Sequence, residues 1–107
     1  DNFTIMKEEP FGPLVPILTF KTFDEVIDRA NDNDLGLCSY LYTNSMEQAN
    51  RGSEKLQSGC VAVNTGVVAL AEAPFGGIKQ TGYGREGGSG AIKDYLNVKY
   101  THMGLKI

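Results

Sequence analysis

Basic residues form no cluster in this sequence, and no apolar run approaches the roughly 18 residues that a membrane-crossing helix needs. The 10 Lys and Arg are outnumbered by 13 Asp and Glu, giving a formal charge of −3 at pH 7. Neither a nucleic acid nor a membrane is therefore expected as a partner, since the first calls for a basic face and the second for a long apolar span. Cysteine is sparse, with only Cys38 and Cys60, each in apolar, strand-like surroundings. Two thiols so placed suggest neither a disulfide framework nor a zinc site, and no metal is expected. The single histidine, His102, falls near the end of the sequence, where a surface or packing role is expected over catalysis. The opening residues, Asp1-Asn2-Phe3-Thr4-Ile5, show no charged n-region, apolar h-region or cleavage site, so a soluble, cytoplasmic protein is the expectation. A chain of this length standing alone would bury only about two thirds of its unfolded surface and be modestly stable.

Glycine, by contrast, is plentiful: 13 of 107 residues, against a usual share of roughly 7%. About half of it lies in the run from Pro74 to Gly88, beside Phe75, Lys79, Arg85 and Glu86. A flexible linker would pair glycine with serine, so these glycines are expected to let the backbone turn and approach other groups closely. Gly82-Tyr83-Gly84-Arg85-Glu86-Gly87 has the G-x-G-x-x-G spacing of a dinucleotide-binding turn. That fingerprint needs a strand immediately before it and an acidic residue about 20 positions on. Here Gly76 to Thr81 precede it and the sequence ends at Ile107, so the glycines are read as shaping a loop rather than holding pyrophosphate. Cys60 is a weak candidate nucleophile for a similar reason. It opens an apolar stretch beside Gly59 with no neighbouring His or base, which fits an inert thiol better.

The remaining pattern alternates strand and helix. Val15 to Phe20 is a short apolar run whose Pro16 lacks a donor, which places it at a strand start or edge. Thr22 followed by Glu25 is a capping box, and Phe23, Val26, Ile27 and Ala30 form the apolar stripe of the helix behind it. Leu37 to Tyr42 reads as a second strand. Ser45 with Gln48 is a second capping box, opening a helix with a narrow face of Met46, Ala49, Ser53 and Leu56, which Gly59 ends as a left-handed cap or turn. Cys60 to Val63 is the third strand and Ala91 to Leu96 a short helix. Asn97 to Met103 alternates polar and apolar residues as an exposed terminal strand does. The fold class is thus α/β, a parallel βαβαβ unit, with a C-terminal strand free to pair outside its own core.

Two segments at opposite ends of this pattern, Glu8-Glu9-Pro10-Phe11-Gly12-Pro13 and Pro74-Phe75-Gly76-Gly77, resemble the C-terminal part of the NAD(P)-dependent aldehyde dehydrogenases. The resemblance covers essentially the whole chain. It implies that Glu9 occupies the place of the glutamate that accepts hydrogen bonds from the nicotinamide ribose hydroxyls, and Phe11 that of the aromatic packed near the nicotinamide. A carboxylate suits a diol because it accepts two protons at once. Phe75 matches the aromatic at the aldehyde entrance, and the loop from Thr65 to Ala73, with Val68 and Ala69, matches the segment that meets the substrate's tail. Within the family, Asn64-Thr65-Gly66, Ala73 to Lys79 and Asp94-Tyr95-Leu96 are most similar to enzymes acting on succinate or glutarate semialdehyde. One departure is Ala69, where that group usually has a serine donating to the substrate carboxylate.

By the same resemblance the family's catalytic cysteine and general-base glutamate precede the matching segment, so no catalytic residue is expected among these 107. The chain is read as residues 1–96 of a catalytic domain and residues 97–107 of an oligomerisation strand and tail. The expected whole is an enzyme that oxidises an aldehyde to the acid with NAD or NADP, as a homodimer or homotetramer, and this segment alone is expected to be inactive. Two other classes stay open: a stand-alone oligomerisation or interaction module, and a small phosphate- or nucleotide-binding domain using the glycine loop.

Overall fold

Local signals near Thr22 start the first helix. In the computed structural model, which describes residues 3–106, the Glu25 amide donates to Thr22 Oγ1 at 3.2 Å and caps α1, Phe23–Asn31. The Glu25 carboxylate also reaches back beyond the cap, accepting the Lys21 amide at 2.8 Å. Arg29 Nη1 donates to Glu25 Oε1 at 3.4 Å and to the Thr19 carbonyl at 2.9 Å, one turn along the same face. The Lys21 amide above all, then the Thr22 amide and the Arg29 guanidinium, hold the Glu25 carboxyl below the usual carboxylate range. At the other end, Asn31 ties α1 to the chain leaving the second helix. Its Nδ2 donates to Lys55 O at 2.9 Å and its Oδ1 accepts the Gln57 amide at 2.8 Å.

Four short strands follow: β1 (Leu35–Gly36), β2 (Cys38–Leu41), β3 (Cys60–Val63) and β4 (Ile78–Lys79), with α2 (Met46–Lys55) between β2 and β3. β2 and β3 run parallel, with Cys38 opposite Cys60 and Leu41 opposite Val63, so α2 is the crossover of a βαβ unit. β1 and β4 form an antiparallel pair that the sequence pattern does not announce. The Ser45 hydroxyl accepts the Gln48 amide and caps α2, but Gln48 does not complete a box. Its Oε1 instead accepts the Thr43 hydroxyl at 2.7 Å.

The face of α2 is displaced from the one expected. Met46 and Ser53 are exposed, while Ala49, Gly52 and Leu56 turn inward, with Gly52 set against Leu41 and Phe23. Ala30 of the expected α1 stripe is also exposed. α2 ends at Lys55 with Leu56 extended, so Gly59 is not its left-handed cap. Gly59 has a different reason to be glycine: a Cβ there would run into the Gly76 carbonyl oxygen.

The chain is an α/β structure with one parallel crossover, β2-α2-β3, rather than two. Residues 15–20 belong to no ladder; Val15 and Ile17 are 82% and 85% exposed. An apolar run specifies a wish for burial, whereas a strand also needs a neighbour whose amides and carbonyls face its own, and β2 and β3 pair with each other. Residues 97–106 likewise carry no ladder, and Val98 and Tyr100 stand clear of the rest; Ile107, the last residue of the expected tail, and Asp1 and Asn2 lie outside the described residues. Among the described residues, Ile27 on α1 and Ala62 on β3 are the buried hydrophobic side chains. The radius of gyration is 19.5 Å, against about 13 Å for a compact chain of this size, and the long axis extends 75 Å.

Candidate functional site

Glu9 stands at the end of a tightly turned segment. A 3-10 turn at Thr4–Met6 is closed by Lys7 N–H to Thr4 O at 2.9 Å, and Glu8 N–H shares the same acceptor at 2.9 Å. Phe11 N–H then donates to Glu9 O at 3.0 Å and Gly12 N–H to Pro10 O at 2.8 Å, so the backbone curls at each residue in turn. Glu9 lines a cleft of about 770 Å³ together with Cys38, Ser39, Ser58 and Thr81. The Ser39 and Ser58 hydroxyls are hydrogen-bonded to each other. Phe11 projects from the same turn and is 97% exposed.

The second group hangs from the end of β3. Asn64 takes a left-handed conformation, φ 55°, and clamps Thr43 from both sides. The Thr43 amide donates to Asn64 Oδ1, and Asn64 Nδ2 donates to the Thr43 carbonyl, each at 2.9 Å. The Asn64 amide itself donates to Leu41 O at 2.8 Å, extending the parallel ladder by one bond. From that fixed origin the chain enters the loop holding Val68 and Ala69, with the Val67 amide donating to Thr65 Oγ1 at 3.1 Å. Val68 is half-buried and Ala69 exposed.

The far end of the loop is anchored by Phe75 and Glu86, which exchange two backbone hydrogen bonds of 2.7 Å. Gly87, at φ 67°, passes so close to Ala73 that a Cβ would lie 2.6 Å from its carbonyl oxygen. Phe75 lines a separate cleft of about 380 Å³ with Leu37, Arg85, Asp94 and Tyr95. Glu9 and Phe75 thus open onto different clefts, and neither cleft includes Val68 or Ala69. A third and larger cleft, about 1090 Å³ beside Asp32, Asp34 and Lys79, includes none of the five residues singled out from the sequence.

β4 ends at Lys79 and a turn at Gln80 and Thr81 separates it from Gly82, no α-helix follows, and Gly82, Gly84, Gly87 and Gly88 all have positive φ. Its one arginine turns inward: Arg85 Nη1 donates to Gly77 O at 2.8 Å and Gly84 O at 2.7 Å, and its amide to Asp94 Oδ2 at 3.0 Å. The arrangement is that of a loop holding its own shape. His102 is exposed and stacks on Tyr100 with ring centroids 6.5 Å apart.

Two supports were not visible in the sequence. Lys79, at φ 56°, carries its ammonium across to the end of α1, donating to Asn31 O and Asn33 O at 2.9 Å each. A cation there complements the helix C-terminus. The Asn64 clamp on Thr43 is the other; its one local signal is an asparagine directly after an apolar strand, a residue that tolerates the left-handed region. Among the described residues no group of three or more His, Cys, Asp or Glu side chains is placed to hold a metal ion. No helix among them is long and apolar enough to cross a membrane.

Comparison with known proteins gives these features a context. Residues 1–101 match the sequence profile of the aldehyde dehydrogenase family. The chain is 46% identical over 104 residues to an NADP(+) succinate-semialdehyde dehydrogenase of Escherichia coli, covering 97% of this chain and 22% of that one. It is 46% identical over 103 residues to a glutarate-semialdehyde dehydrogenase of Pseudomonas aeruginosa, covering 96% and 21%. Its structure is similar to that of an Escherichia coli NADP-dependent enzyme with a TM-score of 0.90 and 46% identity, over 97% of this chain and 22% of the other. The chain therefore spans about a fifth of the length of the relatives it matches.

Proposed function

This chain belongs to the aldehyde dehydrogenase family, and on that premise we propose that it serves an enzyme that oxidises an aldehyde of the semialdehyde class to its carboxylic acid. The observation that carries the proposal is the similarity to succinate- and glutarate-semialdehyde dehydrogenases along nearly the whole chain. In this reading Glu9 and Phe11 set the ribose and ring of NAD or NADP. The carboxylate would take both ribose hydroxyls, and the exposed Phe11 ring would limit how the nicotinamide swings. Val68, Ala69 and Phe75 shape the path of the aldehyde, with the Asn64 clamp and the Phe75–Glu86 pair fixing the two ends of their loop.

The attacking thiolate and the general base belong to other parts of the enzyme, so these residues position reactants and do not by themselves form the thiohemiacetal. The extended shape and the many large apolar residues left exposed, Val15, Ile17 and Val98 among them, support a segment that packs into a larger body. Residues 97–107 are read as an arm toward a second subunit of a homodimer or homotetramer.

The test is Glu9→Gln in the full-length protein, which keeps the shape and removes the charge. Loss of a hydrogen bond to a charged group is worth about 1.5–3 kcal/mol, so KM for the dinucleotide is expected to rise on the order of tenfold or more. Unchanged KM and kcat with both NAD and NADP would remove Glu9 from the cofactor site.

A further inference from the structure

The parallel ladder places the two thiols of the chain on one rung, since Cys38 and Cys60 are Cα partners between β2 and β3. Neighbouring strands lie about 4.8 Å apart, within the roughly 4.4–6.8 Å that a disulfide spans between Cα atoms. Residues on one rung of a parallel pair also face the same side of the sheet. Both thiols are free and half-buried. Burial, and after it the Cys60 sulfur alongside, raise the Cys38 thiol above the usual range. Cys60 Sγ also makes a weak contact of 3.8 Å to Gly76 O. Cys38 lines the open cleft that holds Glu9, which gives a small water-borne reagent a route to the Cys38 sulfur.

We propose that Cys38 and Cys60 form a redox-responsive dithiol that hydroperoxides convert to an interstrand disulfide. The thiolate of one cysteine attacks a peroxide oxygen; an S–O bond forms, the O–O bond breaks, and hydroxide leaves to be protonated to water. The resulting sulfenic acid is attacked by the second thiol across the rung. An S–S bond forms, the S–O bond breaks, and a second water leaves with the remaining thiol proton. Two thiols are oxidised by two electrons and one hydrogen peroxide is reduced to two waters. The product closes a covalent ring around α2 and fixes β2 to β3 just ahead of the Asn64 clamp. This inference is independent of the dehydrogenase reading, because its readout is a covalent bond and not activity.

The experiment treats the folded, reduced, full-length protein with hydrogen peroxide, blocks remaining thiols with iodoacetamide, and maps the peptides by mass spectrometry. The expected result is a Cys38–Cys60 linked peptide pair, with both thiols lost together and both recovered on reduction with dithiothreitol. In Cys60→Ser the link is absent and Cys38 accumulates as a sulfenic acid trapped by dimedone. Three results with the wild-type protein would each overturn the proposal: unlinked oxidation of the two sulfurs, linkage of either to a different cysteine, or both remaining reduced while other thiols of the same protein are oxidised. The wild-type map decides the matter even if the variant fails to fold.

Discussion

Replacing Asn64 separates two effects that the structure combines in one residue. Its side chain makes two hydrogen bonds of 2.9 Å to the backbone of Thr43, and its own backbone is left-handed at φ 55°. Each hydrogen bond contributes about 0.5–1.5 kcal/mol net, and a left-handed conformation costs a residue without a local polar partner about 1–2 kcal/mol. Asn64→Gly removes the bonds and leaves the conformation free, so it is expected to cost roughly 1–3 kcal/mol of local stability. Asn64→Ala removes the bonds and adds the strain, and is expected to cost roughly 1 kcal/mol more. Amide hydrogen exchange in the full-length protein reads this locally, without assuming that a large protein unfolds in one step. Exchange at Thr43 should rise about tenfold in Asn64→Gly, since 1.4 kcal/mol is a factor of ten. In Asn64→Ala the loss of protection should be larger and should spread along residues 64–70. Because the same loop carries Val68 and Ala69, KM for the aldehyde should rise in the same order. An alanine variant at least as well protected as the glycine variant would refute the strain argument, and wild-type exchange at Thr43 in both would refute the clamp.

Gly59→Ala is expected to lower the thermal midpoint and soluble yield at a cost on the order of 3 kcal/mol, because its Cβ would meet backbone at Gly76 and Gly77 and not the end of a flexible side chain; an unchanged midpoint would count against that packing. Glu25 has its pKa lowered by folding, so its stabilising effect is present above the unfolded pKa of about 4.3 and is lost as pH falls through the lower folded value. Melting curves of Glu25→Gln and wild type should accordingly differ at pH 7 and converge in strong acid; a gap that persists there would contradict the assignment. Ala69→Ser supplies a hydroxyl on the exposed part of the substrate loop, and is expected to lower KM for succinate semialdehyde by up to about tenfold while leaving an uncharged aldehyde such as propanal unaffected. Equal effects on the two aldehydes would mean that residue 69 does not meet a substrate carboxylate.

The parts of this fold that the sequence discloses are those whose causes lie within a few residues. Thr22 and Glu25 are read correctly as a helix start because the bonds that satisfy the first turn come from neighbours. Cys60 to Val63 is read correctly because an apolar run bounded by Gly59 and Asn64 leaves little choice of length. Errors begin where the cause is remote. Gln48 is drawn to Thr43, the inner face of α2 is set by where Leu41 and Phe23 lie, and β1 pairs with β4 through Gln80 N–H to Asp34 O and Gly36 N–H to Thr81 Oγ1. The candidate site shows the same division. Glu9 and Phe75 are singled out by the motifs around them, whereas their opening onto separate clefts is not legible in those motifs.

Register is the sharpest instance, because a slip of one residue between β2 and β3 would set Cys38 beside Val61 and turn the thiols to opposite faces of the sheet. Nothing near either cysteine fixes that choice. It is held by backbone bonds along the ladder, Gly59 N–H to Gly36 O at 3.0 Å, Cys60 N–H to Leu37 O at 2.9 Å and Asn64 N–H to Leu41 O at 2.8 Å. Two cysteines that look unrelated in the sequence therefore become neighbours through bonds to which their own side chains contribute nothing. The proposed dithiol depends on that register, and the linked peptide tests both together.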